Sequence, residues 1–398
     1  MSVSIIGNKC CACRTCEQIC SVRAISFKRD EDGYEQVCVD SSACVECGLC
    51  EKVCPILEVR KPLVKSNPIL CGAALAKDNV IKQSGSSGGL FGVFAQYFIQ
   101  AGGVVYGAAF DNDLQLKTRK ATTQEELSPL FKSKYLLCNT EDNFKQIRED
   151  LKNGLMVLYC STPCQIAGLQ AFLRRNYDNL LCVEFACHGV GNQQQFNQSI
   201  KYLEEKNKLK IHKFDFRYKK QDSSTSSHYY YYYYGEKDGR PIAKQGLYLF
   251  VPYYNAYCKQ WICRDICYRC PYATNERNAD ITIGDFHSIA KFLPEIDRFK
   301  GVSMFLCNTH KGLSFFDTIQ DRMDVFPLSW DEIKTENRFS GQEIAPKERE
   351  ELLLCIRNNG FERAAKTLLN PWNDWKRLIY YNLPTFIRKS IFKIISSK

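Results

Sequence analysis

Long apolar segments are missing from this 398-residue sequence. None approaches the roughly 18 to 20 residues that a membrane-spanning helix needs, which argues against an integral membrane protein. The first ten residues, MSVSIIGNKC, lack a basic segment followed by an apolar core, so we expect no export signal. With 22 cysteines and no such signal, the expected location is the reducing cytoplasm.

Signatures of nucleic-acid binding are also missing, although the formal net charge is +10. The sequence has no zinc-finger spacing, no aromatic RNA-binding signature and no dense Lys/Arg block. We therefore predict no nucleic-acid partner. An acidic ligand, such as a phosphorylated cofactor, or an acidic redox partner protein explains the charge as well.

Eight cysteines near the N-terminus form two runs with the same spacing, C-x2-C-x2-C-x3-C. This is the pattern of bacterial two-cluster ferredoxins, in which the last cysteine of each run ligates the other cluster. The first predicted [4Fe–4S] cluster is therefore ligated by Cys10, Cys13, Cys16 and Cys54. The second is ligated by Cys44, Cys47, Cys50 and Cys20. Two clusters held in this way predict a protein that transfers single electrons.

Other kinds of cysteine site fit these runs less well. A zinc ribbon uses two C-x2-C pairs rather than two runs of four, and a disulfide scaffold is typical of short secreted chains. Residues 22–27 and 34–39 flank a polar turn and predict the strand–turn–strand hairpin that belongs between ferredoxin cluster motifs. Cys11 and Cys38 lie outside the pattern, and we predict that they are packed thiols rather than ligands.

Beyond a linker at residues 60–68, predicted helices alternate with short apolar strands. Strands at residues 155–159 and 180–185 are followed by Cys164 and Cys187, respectively. Thr162 is a favourable helix N-cap and Pro163 a favourable first helical residue, so Cys164 is expected where the helix dipole stabilises a thiolate. Ligands of open α/β sheets bind at the carboxyl ends of the strands, where both cysteines are predicted.

A third cysteine group contains Cys258, Cys263, Cys267 and Cys270. Because two strand ends deliver Cys164 and Cys187, we predict that these two and the C-x2-C pair Cys267 and Cys270 ligate a third [4Fe–4S] cluster. Cys160 and Cys263 are the reserve ligands. The alternative is that some of these cysteines are buried small apolar residues.

A Ser/Gly-rich turn at residues 83–89, QSGSSGG, precedes a predicted helix at residues 90–100. The free backbone N–H groups at such a helix N-terminus suit a phosphate, although Ser caps and Gly turns are also common without one.

These motifs resemble the coenzyme F420 hydrogenase/dehydrogenase beta-subunit family, in the branch with an N-terminal two-cluster ferredoxin. The matching stretches are SSGGLF (86–91), GGVVYGAAF (102–110), SKY (133–135), TPCQIAGL (162–169), CHGV (187–190), CYRCPY (267–272) and ADITIGDF (279–286). The sequence departs from the family pattern at Ser161, Gly191-Asn192 and His287-Ser288. These positions are near the expected active site, so the substrate is expected to differ from that of close relatives.

The resemblance implies a bound FAD beside the third cluster and a small-molecule substrate that exchanges a hydride with the flavin. It implies that Ser87, Gly88, Gly89 and Lys134 lie near the flavin or its phosphates. Asp285, at the end of a predicted strand, is expected to bind ribityl or ribose hydroxyls or, alternatively, to cap the following helix. Some bacterial members that this chain resembles are associated with cell-envelope polysaccharide synthesis.

His188 is the candidate general acid, because it follows a motif cysteine at a strand end and imidazole titrates near neutral pH. The alternative is a histidine that caps its own turn.

The predicted fold class is α+β/α/β. A small bacterial-type two-cluster ferredoxin domain (1–60) precedes a larger mixed α/β flavin-binding body (70–345) and a helical region (346–398). In that last region, residues 384–398 predict a short basic amphipathic helix that contacts an anionic membrane peripherally. The alternative is a terminal helix packed on the body.

The predicted function is that of an iron–sulfur flavoprotein oxidoreductase. It would pass electrons between a redox partner protein, a ferredoxin or similar, and an organic substrate. One alternative is an F420-type dehydrogenase subunit of a larger complex, and another is an electron-transfer subunit with no substrate of its own.

Overall fold

The structure, a computed structural model, describes residues 3–57, 67–219, 229–297, 301–334, 344–384, 387–388 and 390–391. Most of the predicted linker at residues 60–68 and of the predicted amphipathic helix at residues 384–398 lies outside these ranges. The domain boundaries at residues 60, 70 and 345 therefore stay predictions. Within the described ranges, no helix is long and apolar enough to cross a bilayer.

The N-terminal unit consists of one β-hairpin and two short helices that follow the cysteine-bearing loops. After a 3₁₀ segment at Val3–Lys9, its elements are α1 (Thr15–Ile19), β1 (Ile25–Arg29), β2 (Glu35–Val39) and α2 (Leu49–Lys52). The predicted hairpin is therefore present. Its first strand begins three residues later than predicted, because Arg23 has a left-handed φ of +53° in a turn closed by its N–H and the Cys20 carbonyl.

The body contains eleven strands in the described ranges. They are β3 (Leu70–Ala76), β4 (Val104–Phe110), β5 (Leu116–Ala121), β6 (Val157–Ser161), β7 (Leu180–Phe185), β8 (Lys210–Asp215), β9 (Tyr230–Lys237), β10 (Arg240–Leu247), β11 (Ile281–Asp285), β12 (Ser303–Cys307) and β13 (Met323–Pro327). Eight form one mixed sheet in the order β13-β3-β12-β11-β7-β6-β4-β5. Its four central strands β11, β7, β6 and β4 are parallel, so their carboxyl ends lie at one edge. This arrangement confirms the predicted mixed α/β body.

Helices cover both faces of the large sheet. The described helices of the body are α3 (Asn79–Ser84), α4 (Leu90–Gln100), α5 (Asn143–Lys152), α6 (Pro163–Leu173), α7 (Gln193–Asn207), α8 (Pro252–Cys258), α9 (Asp265–Tyr268), α10 (Ile289–Phe292), α11 (His310–Ile319), α12 (Trp330–Ile333), α13 (Lys347–Lys366, interrupted at Gly360) and α14 (Trp375–Asn382). Phe94 of α4 and Phe316 of α11 pack in one core cluster. Phe144 of α5 and Phe172 of α6 pack in another.

Residues 229–234 are six consecutive tyrosines, and five of them begin β9, the middle strand of a second, antiparallel sheet with the order β10-β9-β8. Tyr231 and Tyr233 are buried, whereas Tyr234 is exposed, so the run contributes mainly to the core. Both buried rings belong to the same apolar cluster as α7 and α8. This sheet therefore packs against α7 and α8.

The N-terminal unit packs directly on α6. A Cβ atom at Gly168 would lie 2.6 Å from Thr15 Oγ1 and 3.1 Å from Cys13 Cβ, so only glycine leaves room for this approach. Thr140 Oγ1 donates to the Cys13 carbonyl at 3.2 Å. The first cysteine run is therefore held against the helix that carries Cys164.

Two further side chains join the N-terminal unit to the body. One guanidinium nitrogen of the buried Arg264 donates to the carbonyls of Cys10 at 2.9 Å and Glu35 at 2.7 Å. Tyr272 donates its hydroxyl to the Pro55 carbonyl at 2.7 Å. Because both pairs are buried, the relative position of the two parts is fixed by hydrogen bonds as well as by packing.

Gly168→Ala is expected to destabilise the protein by about 1 to 3 kcal/mol, because the added methyl group overpacks the contact with Thr15 and Cys13. Alanine has a higher helix propensity than glycine, so the substitution by itself would stabilise α6 and partly offset the overpacking. Urea unfolding of anaerobically prepared protein measures the change.

Gly107→Ala is the control, since a Cβ there would meet its nearest neighbour, Phe91, at an ordinary 3.4 Å. Equal stability of the two variants would contradict the overpacked contact.

Candidate functional site

Four cysteines from the two N-terminal runs converge in the interior. Cys10, Cys13, Cys16 and Cys54 are each only 6–7% exposed. Burial raises the pKa of Cys16, and the nearby Cys13, Cys10 and Cys54 sulfurs raise it further. This inner set, as we call these four residues, has the membership that the ferredoxin spacing assigned to one [4Fe–4S] cluster.

The other four cysteines lie nearer the surface. Cys20, Cys44 and Cys50 are half-buried and Cys47 is exposed. Cys50 interacts electrostatically with Cys54 of the inner set. This outer set therefore adjoins the inner set on its solvent side.

A third group of cysteines forms at the carboxyl edge of the large sheet. Burial raises the pKa of Cys187, and the sulfurs of Cys267, Cys164 and Cys270 raise it further. Cys164 lies in the first turn of α6, Cys187 follows β7, and the other two flank the end of α9. The structure thus brings together the four cysteines predicted to ligate the third cluster. We call Cys164, Cys187, Cys267 and Cys270 the body set.

The loops that carry the body set are fixed by specific contacts. Gly189 has φ of +100°, and a Cβ there would lie 2.9 Å from Cys263 Sγ and 3.1 Å from Cys267 Cβ. Its N–H donates to Cys187 Sγ at 3.4 Å. Fully buried Glu184 accepts from Arg277 Nε at 2.5 Å.

Arg277 also donates to the Thr274 carbonyl at 3.0 Å. This charge pair therefore ties the end of β7 to the loop that follows Cys270.

The donor chemistry of these three sets fits iron–sulfur clusters. No three His, Cys, Asp or Glu side chains are arranged to hold one single metal ion in the part of the chain that the structure describes. A [4Fe–4S] cube takes one thiolate at each of four irons, so its ligands surround it rather than converge on a point. Four cysteine thiols match the ligands of one cube in type and in number.

The reserve cysteines have different surroundings. Cys160 is buried in the apolar core of β6. Cys263 adjoins the body set, and its thiol lies 3.9 Å from the His188 carbonyl. Of the two, only Cys263 is near enough to the body set to replace a member.

Cys11 was predicted to be a packed thiol, and its surroundings are more specific than that. It is buried, and interaction with Cys13 of the inner set and with Cys164 of the body set raises its pKa, as does burial. Hydrogen bonding to Cys11 lowers the pKa of Cys13 to about 7 and also lowers that of Cys164. The sequence contains no signal for this contact beyond the extra cysteine itself.

A cavity of about 360 Å³ opens beside the body set. The Ser/Gly loop, the first turn of α4, Lys134 and the residues Cys187 and His188 all line it. His188 therefore lies at the cavity wall next to a cysteine of the body set, as a general acid in that cavity would require.

The first turn of α4 lines the cavity. Its N-cap is Gly89, with φ of +89°, and no side chain caps the helix. Ser87 also lines the cavity, and its hydroxyl donates to the Val302 carbonyl at 2.7 Å. Gly88 instead packs between β3 and β12, where a Cβ would lie 2.4 Å from the Ala74 carbonyl oxygen. The need for glycine at position 88 is thus explained by packing.

Lys134 lies at the cavity wall with its ammonium held by the backbone. Its Nζ donates to the carbonyls of Pro129 at 2.8 Å and Phe131 at 2.6 Å. Burial lowers the pKa of Lys134 to about 7. The residue is therefore a cation whose charge changes near neutral pH.

Asp285 pairs with a buried arginine that the sequence analysis did not single out. Both of its carboxylate oxygens accept from the Arg217 guanidinium, one of them at 2.9 Å. Arg217 also donates to the Ser86 carbonyl at 3.0 Å. The N-cap of α10 is Ser288, so Asp285 anchors Arg217 rather than capping that helix. In the sequence, the only indication of this role of Arg217 was its charge within the aromatic stretch at residues 214–218.

Lys134→Met should change how stability depends on pH. Unfolded lysine holds its proton to about pH 10, whereas folded Lys134 releases it near pH 7. Between these values the unfolded chain binds more protons, so the stability of the wild type rises with pH. Below about pH 7 the cost of the buried charge is fully present, and the methionine variant should gain most there.

Urea unfolding at pH 6 and pH 9 measures this difference, with Lys201→Met on the exposed face of α7 as the matched control. A gain that is the same at both pH values would contradict the buried charge.

Comparisons with known proteins match the N-terminal unit and a large part of the body separately. Residues 9–56 match the 4Fe-4S dicluster domain, and residues 155–327 match the C terminus of the coenzyme F420 hydrogenase/dehydrogenase beta subunit. A search of curated proteins found no match.

One similar solved structure is a chain of the xenon-derivatised F420-reducing [NiFe] hydrogenase complex from Methanosarcina barkeri. It is 16% identical, with a TM-score of 0.43, over 76% of this chain and 92% of that chain. The two domain matches confirm the family resemblance seen in the sequence. The chain thus joins a region that matches a 4Fe-4S dicluster domain to a region that matches the C terminus of the coenzyme F420 hydrogenase/dehydrogenase beta subunit, and in both regions it is similar to iron–sulfur electron-transfer proteins.

Proposed function

We propose that this protein is an iron–sulfur flavoprotein oxidoreductase that carries electrons between a redox partner protein and an organic substrate. The observation that carries the proposal is the contact between the inner set and the body set at the face of α6. A Cβ atom at Gly168, one helical turn after Cys164 on α6, would lie 3.2 Å from Cys13 Sγ. Cys187 of the body set then lines the cavity.

The order of the three cysteine sets supports a linear path for electrons. Cys47 of the outer set is exposed, Cys50 interacts with Cys54, and the inner set is buried. Each set adjoins the next, from the protein surface to the cavity. A partner protein would therefore exchange electrons at the outer set, and the substrate would react at the cavity.

The cavity has the features that FAD would need. The uncapped start of α4 and the cation of Lys134 suit a pyrophosphate. The rings of Tyr254 and Tyr257, which also line the cavity, suit an apolar ring system. Bound flavin would supply the exchange between single-electron transfer and two-electron hydride transfer.

Three residues of the cavity have assigned roles in this proposal. His188 would hold the proton that the substrate takes up as it is reduced. Asp285 would orient Arg217, and Arg217 would fix the Ser/Gly loop through the Ser86 carbonyl. The Asp285–Arg217 pair would thereby keep this loop in place at the cavity wall.

The F420-type dehydrogenase subunit remains the second candidate, because the matched family domain is named for that beta subunit. A role in cell-envelope polysaccharide synthesis stays a prediction. The same holds for membrane contact by residues 384–398, most of which lie outside the described ranges. Within that segment Arg388 is buried, which favours packing on the body at this position.

The proposal predicts that changing Cys267 and Cys270 together to Ser slows reduction of the bound flavin by a reduced bacterial ferredoxin. The flavin content should stay that of the wild type, because the two cysteines belong to the proposed electron-transfer path and are not among the residues proposed to bind the flavin phosphates. Stopped-flow absorbance under anaerobic conditions measures the rate.

Cys355→Ala, at a half-buried cysteine of α13 outside the three sets, is the control and should reduce its flavin at the wild-type rate. An unchanged rate in the double variant, or a protein that binds no flavin, would contradict the proposal.

A further inference from the structure

Lys219 is a second buried cation beside the Ser/Gly loop, and the sequence analysis did not single it out. It follows Arg217 by two residues in the segment after β8 and is only 7% exposed. Its ammonium donates to the Lys82 carbonyl at 2.5 Å and also to the Ser87 carbonyl. Lys219 therefore bridges the last turn of α3 and the loop that leads into α4.

Two consecutive carbonyls of this loop are held by buried cations. The Ser86 carbonyl accepts from the Arg217 guanidinium at 3.0 Å, and the Ser87 carbonyl accepts from Lys219. A carbonyl oxygen carries a partial negative charge and repels an anion. Because both oxygens are engaged by cations, the loop is fixed, and positive charge lies beside the start of α4, which suits a phosphate.

The backbone between the two cations and β8 has an uncommon conformation. Arg217 has a left-handed φ of +55°, which is unfavourable for a residue with a Cβ atom. Such residues persist where the surrounding contacts determine them, and they cluster at ligand sites. This strained residue places Arg217 and Lys219 against the same loop.

Positive charge exceeds negative charge around Lys219. Burial lowers the pKa of Lys219 to about 7, and the neighbouring Arg217 charge lowers it further. Lys82 acts in the same direction, whereas Asp285, which is already paired with Arg217, acts in the opposite one. An anion bound beside the loop would therefore stabilise a cation that is otherwise unfavourably buried.

We propose that Lys219 is a positioning residue for the anionic part of the cavity ligand. It fixes the Ser/Gly loop through the Lys82 and Ser87 carbonyls, and its buried charge attracts a pyrophosphate held at that loop. Lys219 acts from behind the loop, since Arg217 and Ser87 line the cavity and Lys219 is not among the described residues that do.

This role of Lys219 rests on the proposed flavin site and names a residue on which affinity for the pyrophosphate, rather than for the ring system, depends. The alternative is a lysine that only binds the last carbonyls of α3 and has no effect on the ligand.

Binding of FAD and of riboflavin to the flavin-depleted full chain, prepared without oxygen, tests this role. Riboflavin has the same ring system without the pyrophosphate, so its affinity reports on the shape of the cavity alone. Lys219→Met should weaken FAD binding about tenfold and leave riboflavin binding unchanged. Titration of the flavin fluorescence measures both dissociation constants.

Lys311→Met is the matched control, because Lys311 also donates to a backbone carbonyl, that of Leu180 at 2.5 Å, but at the amino end of β7. It should leave both dissociation constants unchanged. Should Lys219→Met fail to fold, Lys219→Gln keeps a hydrogen-bond donor without the charge and takes its place. It should also weaken the binding of FAD and not that of riboflavin.

The outcomes separate the possible roles of Lys219. Equal losses of affinity for FAD and riboflavin would overturn the inference, because the residue would then support only the fold of the cavity. Unchanged FAD binding in a folded variant would overturn it as well. A wild type that binds neither flavin would refute the proposed function itself, and that result appears before any variant is made.

Discussion

Close packing between a helix backbone and a cysteine loop is the constraint on which the proposed path depends. Gly168 allows α6 to approach Cys13 so closely that the inner set and the body set lie on opposite sides of one contact. Arg264 satisfies two carbonyls of the N-terminal unit from the body side. A dicluster domain tethered only by a flexible linker would have no defined distance to Cys164. Here the distance is set by packing.

Parallel pairing of β6, β7 and β11 supplies the second constraint. Their carboxyl ends meet at one edge, so Cys164, Cys187 and Asp285 arrive there from distant parts of the sequence. The buried pair of Glu184 and Arg277 ties the loop after Cys270 to the same edge. The cavity is thus lined both by Cys187 of the body set and by a helix N-terminus. A chain of clusters that ends at an anionic cofactor would need both features.

The sequence predicted those features that depend on the local spacing of residues. The eight N-terminal cysteines follow from one repeated pattern, and the mixed sheet follows from alternating strands and helices. Arg217 was not recognised, because its partner Asp285 lies on a segment far away in the sequence. The packing role of Gly88 was also missed, since a glycine in a Ser/Gly turn looks the same whether it faces a ligand or a strand. Such roles depend on tertiary contacts that spacing does not encode.

The most direct test of the account is the content of iron, acid-labile sulfide and flavin per chain in protein purified without oxygen. Three cubes feeding one flavin predict about twelve irons, about twelve sulfides and one flavin, at four irons per cube. About eight irons without flavin would contradict the account. The cysteines of the body set would then be structural, and the protein would be a dicluster ferredoxin joined to a body with another purpose.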